Sequence, residues 1–328
     1  MVTSIGLSLN KKLRIFEMCS LIRQVELEIS KRYHQGKMRC PVHLSIGQEG
    51  VPAVLSLLLK HKDYAVSTHR AHAHYIAKGG SIKKMIAEIY GKSTGCSGGK
   101  GGSMHLVDKS KGFMGSSSIV GNSIPIGVGL GLSLKLKKIK NLSVIFLGDA
   151  AVETGAFFES INFTILKKLP VVFICENNLY SVYTSLKDRQ PKNRKIYKMV
   201  SAHGIKSYLF DGSKPLSFYK KLEKILINTR QRSEPCFIEF KTYRYLEHCG
   251  PFNDDNLRYR PKAELKKWLS KDPYINLKLN FEKNIKLKSH IKKIERKNLK
   301  IVNSSFLFAE KSNFPTKVSL KKNVYKKK

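Results

Sequence analysis

Asp149 and Asn178 close two apolar runs, residues 143–147 and 171–175, and no Lys or Arg falls between Gly148 and Leu166. The side-chain oxygens of an aspartate and an asparagine suit a hard cation, and such a cation in turn suits a ligand carrying phosphate. A third short apolar run, residues 63–68, leads into His69-Arg70-Ala71-His72-Ala73-His74. Arg70 there is placed to hold an anion through charge-assisted hydrogen bonds. Three histidines so close raise a transition-metal site as the alternative, but no HExxH pattern or cysteine partner accompanies them and Arg70 would repel a cation. His72 and His74 read better as packing or hydrogen-bonding residues.

Positioning these groups requires a particular frame. Residues 143–180 read as a buried strand, the Gly148-Asp149 turn, an amphipathic helix and a second buried strand ending in Glu176-Asn177-Asn178. Both polar clusters then lie at the C-terminal ends of parallel strands, where ligands bind in open α/β sheets. Taken alone, Asp149 also fits a helix cap and Asn178 a turn former. Apolar residues Ile15, Met18, Leu21, Ile22, Val25 and Ile29 predict a helix over 12–35, and another opens near Gln48. Further on, the pattern predicts a strand at 208–210, a helix at 215–229, a strand at 236–240 and a helix starting at 261–269. The expected fold class is α/β, a parallel sheet flanked by helices.

Residues 91–131 are glycine-rich but lack GxxxxGK[ST], so they are no phosphate loop of that kind. Met104, His105, Phe113, Met114, Ile119 and Val120 are scattered through them, which predicts an ordered loop packed across something rather than a free linker. A helix with small residues on one face follows at 124–136. Residues 187–198 read as a polar, basic loop. Beyond Tyr274 the chain turns rich in Lys and Asn, with little core in prospect. The reading is therefore one domain, 1–272, and a Lys-rich tail, 273–328, as a peripheral helix or flexible arm.

The 328 residues allow a large core, and 41% hydrophobic content excludes a disordered chain. No apolar run is long enough to cross a bilayer, so no membrane partner is expected. The N-terminus lacks the pattern of a secretory signal, and its merging into the first helix speaks against a presequence. Six cysteines without CxxC spacing look like reduced thiols, which predicts a cytoplasmic protein. The net charge of +37 would attract nucleic acid, but the lysines are spread along the chain and no nucleic-acid-binding motif accompanies them.

The Gly148-Asp149 turn followed by Asn177-Asn178 resembles the thiamine-diphosphate motif. The segments HLSIGQEGVP, STHRAHAHYIAKGG, YGKSTGCSGGKGGSMH, SSIVGNSIPIGVG and KLPVVFICENNLY are similar, in order, to the alpha subunit of thiamine-diphosphate-dependent 2-oxo acid dehydrogenases. The likeness runs from about Leu13 to Trp268. It implies the diphosphate-binding half of a thiamine-diphosphate fold. By this resemblance Mg²⁺ is bound by side-chain oxygens of Asp149 and Asn178 and the backbone carbonyl of Tyr180. The cofactor is contacted by His69, Arg70, Ser118, Val120, Gly148, Ala150 and Ala151 beside Asp149 and Asn178. His248 matches a loop histidine near the diphosphate and the reacting carbon, and His43 another histidine lining the site. These two are the implied catalytic groups.

The resemblance also implies the reaction: a 2-oxo acid is decarboxylated and its acyl group passes to a lipoyl arm. The glutamate that activates the pyrimidine belongs to a beta subunit, which implies an α₂β₂ assembly with sites between chains and a lipoyl-carrying acyltransferase as a further partner. There are departures. Ala150 stands where the family commonly has Gly, Ser117-Ser118 where Asn-Gly is common, and Cys249 where some members carry a regulatory serine. Ala150 is compatible if φ there is negative. Glu153 and the segment EHCGP suggest a divergent branch. The competing readings are an acetoin-cleaving dehydrogenase or other lyase on this scaffold, and an inactive or nucleic-acid-binding paralogue.

Overall fold

The computed structural model describes residues 6–322; residues 1–5 and 323–328, the extremities of the N-terminal segment and of the Lys-rich tail, lie outside the described residues. In chain order the strands are β1 (Tyr64–Ser67), β2 (Phe113–Ser116), β3 (Ser143–Gly148), β4 (Val171–Asn177), the two-residue pair β5 (Tyr180–Ser181) and β6 (Thr184–Ser185), β7 (Lys206–Asp211) and β8 (Cys236–Lys241). The helices are α1 (Leu9–Tyr33), α2 (Gly50–Leu58), α3 (His72–Ala77), α4 (Ile82–Ile89), α5 (Ser123–Leu136), α6 (Gly155–Leu166), α7 (Leu186–Arg189), α8 (Ile196–Ser201), α9 (Pro215–Arg232), α10 (Lys262–Leu269), α11 (Pro273–Glu282) and α12 (Ile285–Lys311).

Six strands pair in parallel in the order β2-β1-β3-β4-β8-β7, while β5 and β6 form a separate antiparallel ribbon. The inner strands are apolar at nearly every position because both faces are covered. Val144, Phe146, Val172 and Ile174 enter one core with α1, α2 and α9. Their neighbours Ile145, Leu147, Val171, Phe173 and Cys175 enter the other, beneath α5 and α6. The small face of α5 lets its backbone lie on the sheet: a Cβ at Gly127 would stand 2.3 Å from the Ile145 side chain.

The chain leaves β1 for β2 on one side and returns to β3 on the other. That reversal opens a crevice between the C-terminal ends of β1 and β3. β2 itself lies inside the glycine-rich segment, where four residues are too few to show a period. The expected ordered loop therefore includes an edge strand.

The expectation of little core beyond Tyr274 is corrected. Ile291, Val302, Phe306 and Ala309 of α12 are buried against α1 and α4, and Leu277 and Phe281 of α11 join them. Lys286, Lys288, Lys292, Lys293, Arg296 and Lys300 occupy the outer side of α12. The lysines that dominate the composition concealed a narrow apolar stripe at helical spacing. Among the described residues no helix is long and apolar enough to cross a membrane, and all six cysteines are free.

Candidate active site

Loops from the C-terminal edge of the sheet enclose one cavity. His69 and Arg70 reach it from the end of β1, Gly148, Asp149, Ala150 and Ala151 from the end of β3, and Asn178 and Tyr180 from the end of β4. Val120 and His248 complete its wall from the loops before α5 and after β8. Ser118 is half-buried two residues from Val120 and does not line the cavity. His43 is not on the wall either; it packs against His69 and His248 with ring centroids 4.6 and 5.2 Å away.

Asp149 opens a 3₁₀ turn, Asp149–Glu153, and is not the cap of α6, which Thr154 caps by accepting from the Phe157 N–H. Ala150 lies in that turn and is not among the residues with positive φ, so its Cβ is accommodated. Asp149 is 2% exposed. Burial raises its pKa to about 6, against the pull of Arg189. Arg189, at the end of α7, pairs with both Asp149 and Glu153, the latter at 2.6 Å. The stretch after Gly148 is free of cations, as its sequence says, but the ribbon β5–β6 brings one back from the segment read as a basic loop.

Alternation along β4 sorts its polar end. The Asn177 amide turns to one face and donates to Glu239 at 2.8 Å. Glu176 and Asn178 turn to the other face, onto the cavity. The Asn178 amide nitrogen donates to Gln48 Oε1 at 3.2 Å, and its Oδ1 accepts from the Tyr180 N–H at 3.2 Å. The Tyr180 hydroxyl donates to Glu264 at 2.6 Å, and the residue lines the cavity.

Arg70 is 5% exposed and donates to the carbonyls of Leu44, at 2.5 Å, and His248, at 3.2 Å. Among the described residues no carboxylate forms an ion pair with it, and burial lowers its pKa to about 10. A buried guanidinium held by carbonyls alone is a ready counter-ion for an anionic ligand. Beside it, burial and the Arg70 charge lower His43 to about 2, His69 to about 4 and His248 to about 3, so all three imidazoles are neutral at pH 7. The run His69, His72, His74 is split up. His72 bonds Glu26 and Ser103 at 3.0 and 2.8 Å, and His74 bonds Ser67 and Glu176 at 2.8 and 3.2 Å.

The family model described as "Dehydrogenase E1 component" matches residues 17–317. The chain belongs to this family. It is 36% identical over 314 residues to the pyruvate dehydrogenase E1 component subunit alpha of Rickettsia bellii (strain RML369-C), covering 95% of each chain. The corresponding subunit of Porphyra purpurea is 34% identical over 281 residues, 84% of this chain and 80% of the relative. The chloroplastic alpha-3 subunit of Arabidopsis thaliana is 32% identical over 330 residues, 98% of this chain and 76% of the relative. The class is therefore the alpha subunit of a thiamine-diphosphate-dependent 2-oxo acid dehydrogenase, and the acetoin-cleaving and inactive readings are not favoured. An alpha subunit of this class implies a beta-subunit partner and a lipoyl-carrying acyltransferase, and the family implies thiamine diphosphate. The buried, uncompensated Arg70 fits a diphosphate.

Within this dehydrogenase E1 chain, sequence reasoning gave no role to Gln48, Glu176 or Arg189. Gln48 joins Asn178 to Glu176, and only the fold brings residues 130 positions apart together. The glycine-rich loop has a role of another kind. Glu88, fully buried, accepts from the N–H groups of Ser97, Gly99, Gly101 and Gly102 at 2.7, 2.9, 2.6 and 3.3 Å. The loop wraps an internal carboxylate, so these amides are not available to a phosphate.

Proposed function

We propose that this chain supplies the diphosphate and metal side of the active site in an α₂β₂ 2-oxo acid dehydrogenase, with Mg²⁺ as the metal. The observation that carries the reading is the convergence of Asp149, Asn178, Tyr180 and the uncompensated Arg70 on one cavity at the strand-order reversal. A carboxylate, an amide oxygen and a backbone carbonyl form an all-oxygen donor set that suits Mg²⁺. When bound, thiamine diphosphate supplies the carbanion-stabilising chemistry that loss of CO₂ requires.

The chain's own residues bind and orient. Asp149, Asn178 and the Tyr180 carbonyl hold the metal, and Gly148, Ala150 and Ala151 shape the turn beside the phosphates. Arg70 and His69 balance the diphosphate charge. Val120 offers its carbonyl to the aminopyrimidine, with Ser118 close by in the same loop. His248 on the cavity wall and His43 packed against it, both neutral at pH 7, act as hydrogen-bonding groups near the reacting carbon rather than as strong bases. Ile119, Val120, Val182 and Tyr183 are exposed apolar side chains on and near the rim, which supports closure by the beta subunit. The free thiols support a cytoplasmic setting. Pyruvate, named in the relatives, is the first substrate to test.

Calorimetric titration of the co-expressed alpha–beta assembly with thiamine diphosphate should give binding that depends on Mg²⁺. Binding indifferent to Mg²⁺, or no binding, overturns the proposal. Turnover of pyruvate with a lipoyl acceptor, against longer and branched 2-oxo acids, then fixes the substrate.

A further inference from the structure

Beneath the cavity runs a chain of buried side chains: Ser67, His74, Glu176, Gln48 and Asn178. Ser67 Oγ lies 2.8 Å from His74 Nδ1, and His74 Nε2 lies 3.2 Å from Glu176 Oε2. Gln48 Nε2 donates to the same Glu176 oxygen at 3.2 Å, and Gln48 Oε1 accepts from Asn178 Nδ2 at 3.2 Å. Glu176 is 7% exposed and lines the cavity, and its other oxygen, Oε1, has no hydrogen-bond partner. One carboxylate oxygen thus takes two donors and the other takes none. Glu176 pairs in register with Gly148, immediately before Asp149, and stands two residues before Asn178 on the same side of β4.

The polarity of this chain follows from the acid. A carboxylate only accepts, so Gln48 must turn its NH₂ toward Glu176 and its oxygen toward Asn178. Asn178 must then give its NH₂ to Gln48, which directs its oxygen the other way. The Tyr180 N–H, which donates to that oxygen, requires the same orientation independently. A buried acceptor without a partner costs free energy, and Glu176 Oε1 is such an atom in a residue that lines the cavity.

We infer that Glu176 and Gln48 are positioning residues of the metal site: Glu176 fixes which way Gln48 turns, and Gln48 in turn fixes which atom of Asn178 is presented to the ion. The inference rests on the proposed Mg²⁺ site. Outer-shell partners of a metal's ligands tune its affinity by about 10- to 100-fold.

The test uses the alpha–beta assembly carrying Glu176→Gln or Gln48→Met. Mg²⁺ is titrated calorimetrically at saturating thiamine diphosphate, and thiamine diphosphate at saturating Mg²⁺. Each substitution should raise the Kd for Mg²⁺ about tenfold. The Kd for thiamine diphosphate at saturating Mg²⁺ should stay within about twofold, and the Tm of the metal-free Glu176→Gln assembly should not fall, because its free oxygen makes no contact there. Unchanged Mg²⁺ affinity in both variants overturns the inference and leaves the proposed function standing. A lower metal-free Tm with parallel loss of both ligands assigns a structural role and also overturns it. Wild-type assembly that shows no Mg²⁺-dependent binding fails at the earlier step, the metal site itself.

Discussion

Glu88 and Glu176 are both buried carboxylates at loop-bearing ends of the fold, and they are finished differently. Both oxygens of Glu88 are taken up by backbone N–H groups of the glycine-rich loop. A Cβ at Gly95 would stand 2.2 Å from Glu88 Oε2, so the loop closes on the acid too tightly for a larger residue there. Glu176 lines the cavity and keeps one buried oxygen without a partner, and Arg70 on the same cavity has no acidic partner. A saturated polar cluster fixes a conformation, whereas an unsaturated one is held open by the fold for something else to complete. Asp149 shares the open character, since its partner Arg189 also has Glu153 to pair with.

The largest contrast should come from Asp149→Ala. Removing a proposed direct metal ligand should weaken Mg²⁺-dependent cofactor binding by more than about 100-fold, the upper end for outer partners. The metal-free Tm should change little, because Arg189 retains Glu153. Glu88→Ala should do the reverse: it strips four N–H groups of their acceptor and should cost roughly 2 kcal/mol of stability, read as a lower Tm. Its Mg²⁺ affinity, measured below that Tm, should match the wild type. A Glu88 variant with intact Tm and weakened Mg²⁺ binding would break the comparison.

The sequence makes the open site far more legible than the closed one. Asp149 and Asn178 stand at the ends of strongly apolar runs, so strand period and the strand–helix–strand order locate them from the sequence alone. Arg70 follows the same logic at the end of β1. Glu88 gives no such signal: it sits in a short helix, and its role depends on a loop folding back over it. Gln48 and Arg189 act across separations of 130 and 40 residues, which pattern within a window cannot detect. The Lys-rich C-terminal part failed for another reason, since composition hid the buried stripe of α12 under its charged face. The four residues of β2 are too short for any period.

The open cavity should also carry a pH dependence. His43, His69 and His248 have folded pKa values of about 2, 4 and 3, well below the roughly 6.5 of an unfolded histidine. Below pH 6.5 the unfolded chain binds protons that the folded one refuses, so stability is lost as pH falls from 6.5 toward 4. Asp149, raised to about 6, works against one of the three between pH 6 and its unfolded value near 3.8. The net slope keeps the sign of the histidines, at most about 1.4 kcal/mol per pH unit for each uncompensated group. The metal-free assembly should therefore lose Tm between pH 6.5 and 5, and His69→Gln should make that loss shallower. A flat profile would mean that these rings are not kept neutral by burial beside Arg70.

The smallest effect is expected at Ser118, and it tests where the open region ends. The likeness to the family places this residue beside the cofactor, but its side chain is off the cavity wall while Val120, two residues on, is on it. Val120 is proposed to contribute through its backbone, which any side chain at 118 leaves in place as long as the loop keeps its path. Ser118→Ala should therefore change the affinity for thiamine diphosphate at saturating Mg²⁺ by less than about twofold, below 0.5 kcal/mol by RT ln 2. A tenfold loss would show that the loop before α5 closes further over the bound cofactor than it does in the free chain. The boundary between the open and the finished regions would then have to move past Ser118, toward the apolar rim that the beta subunit is proposed to cover.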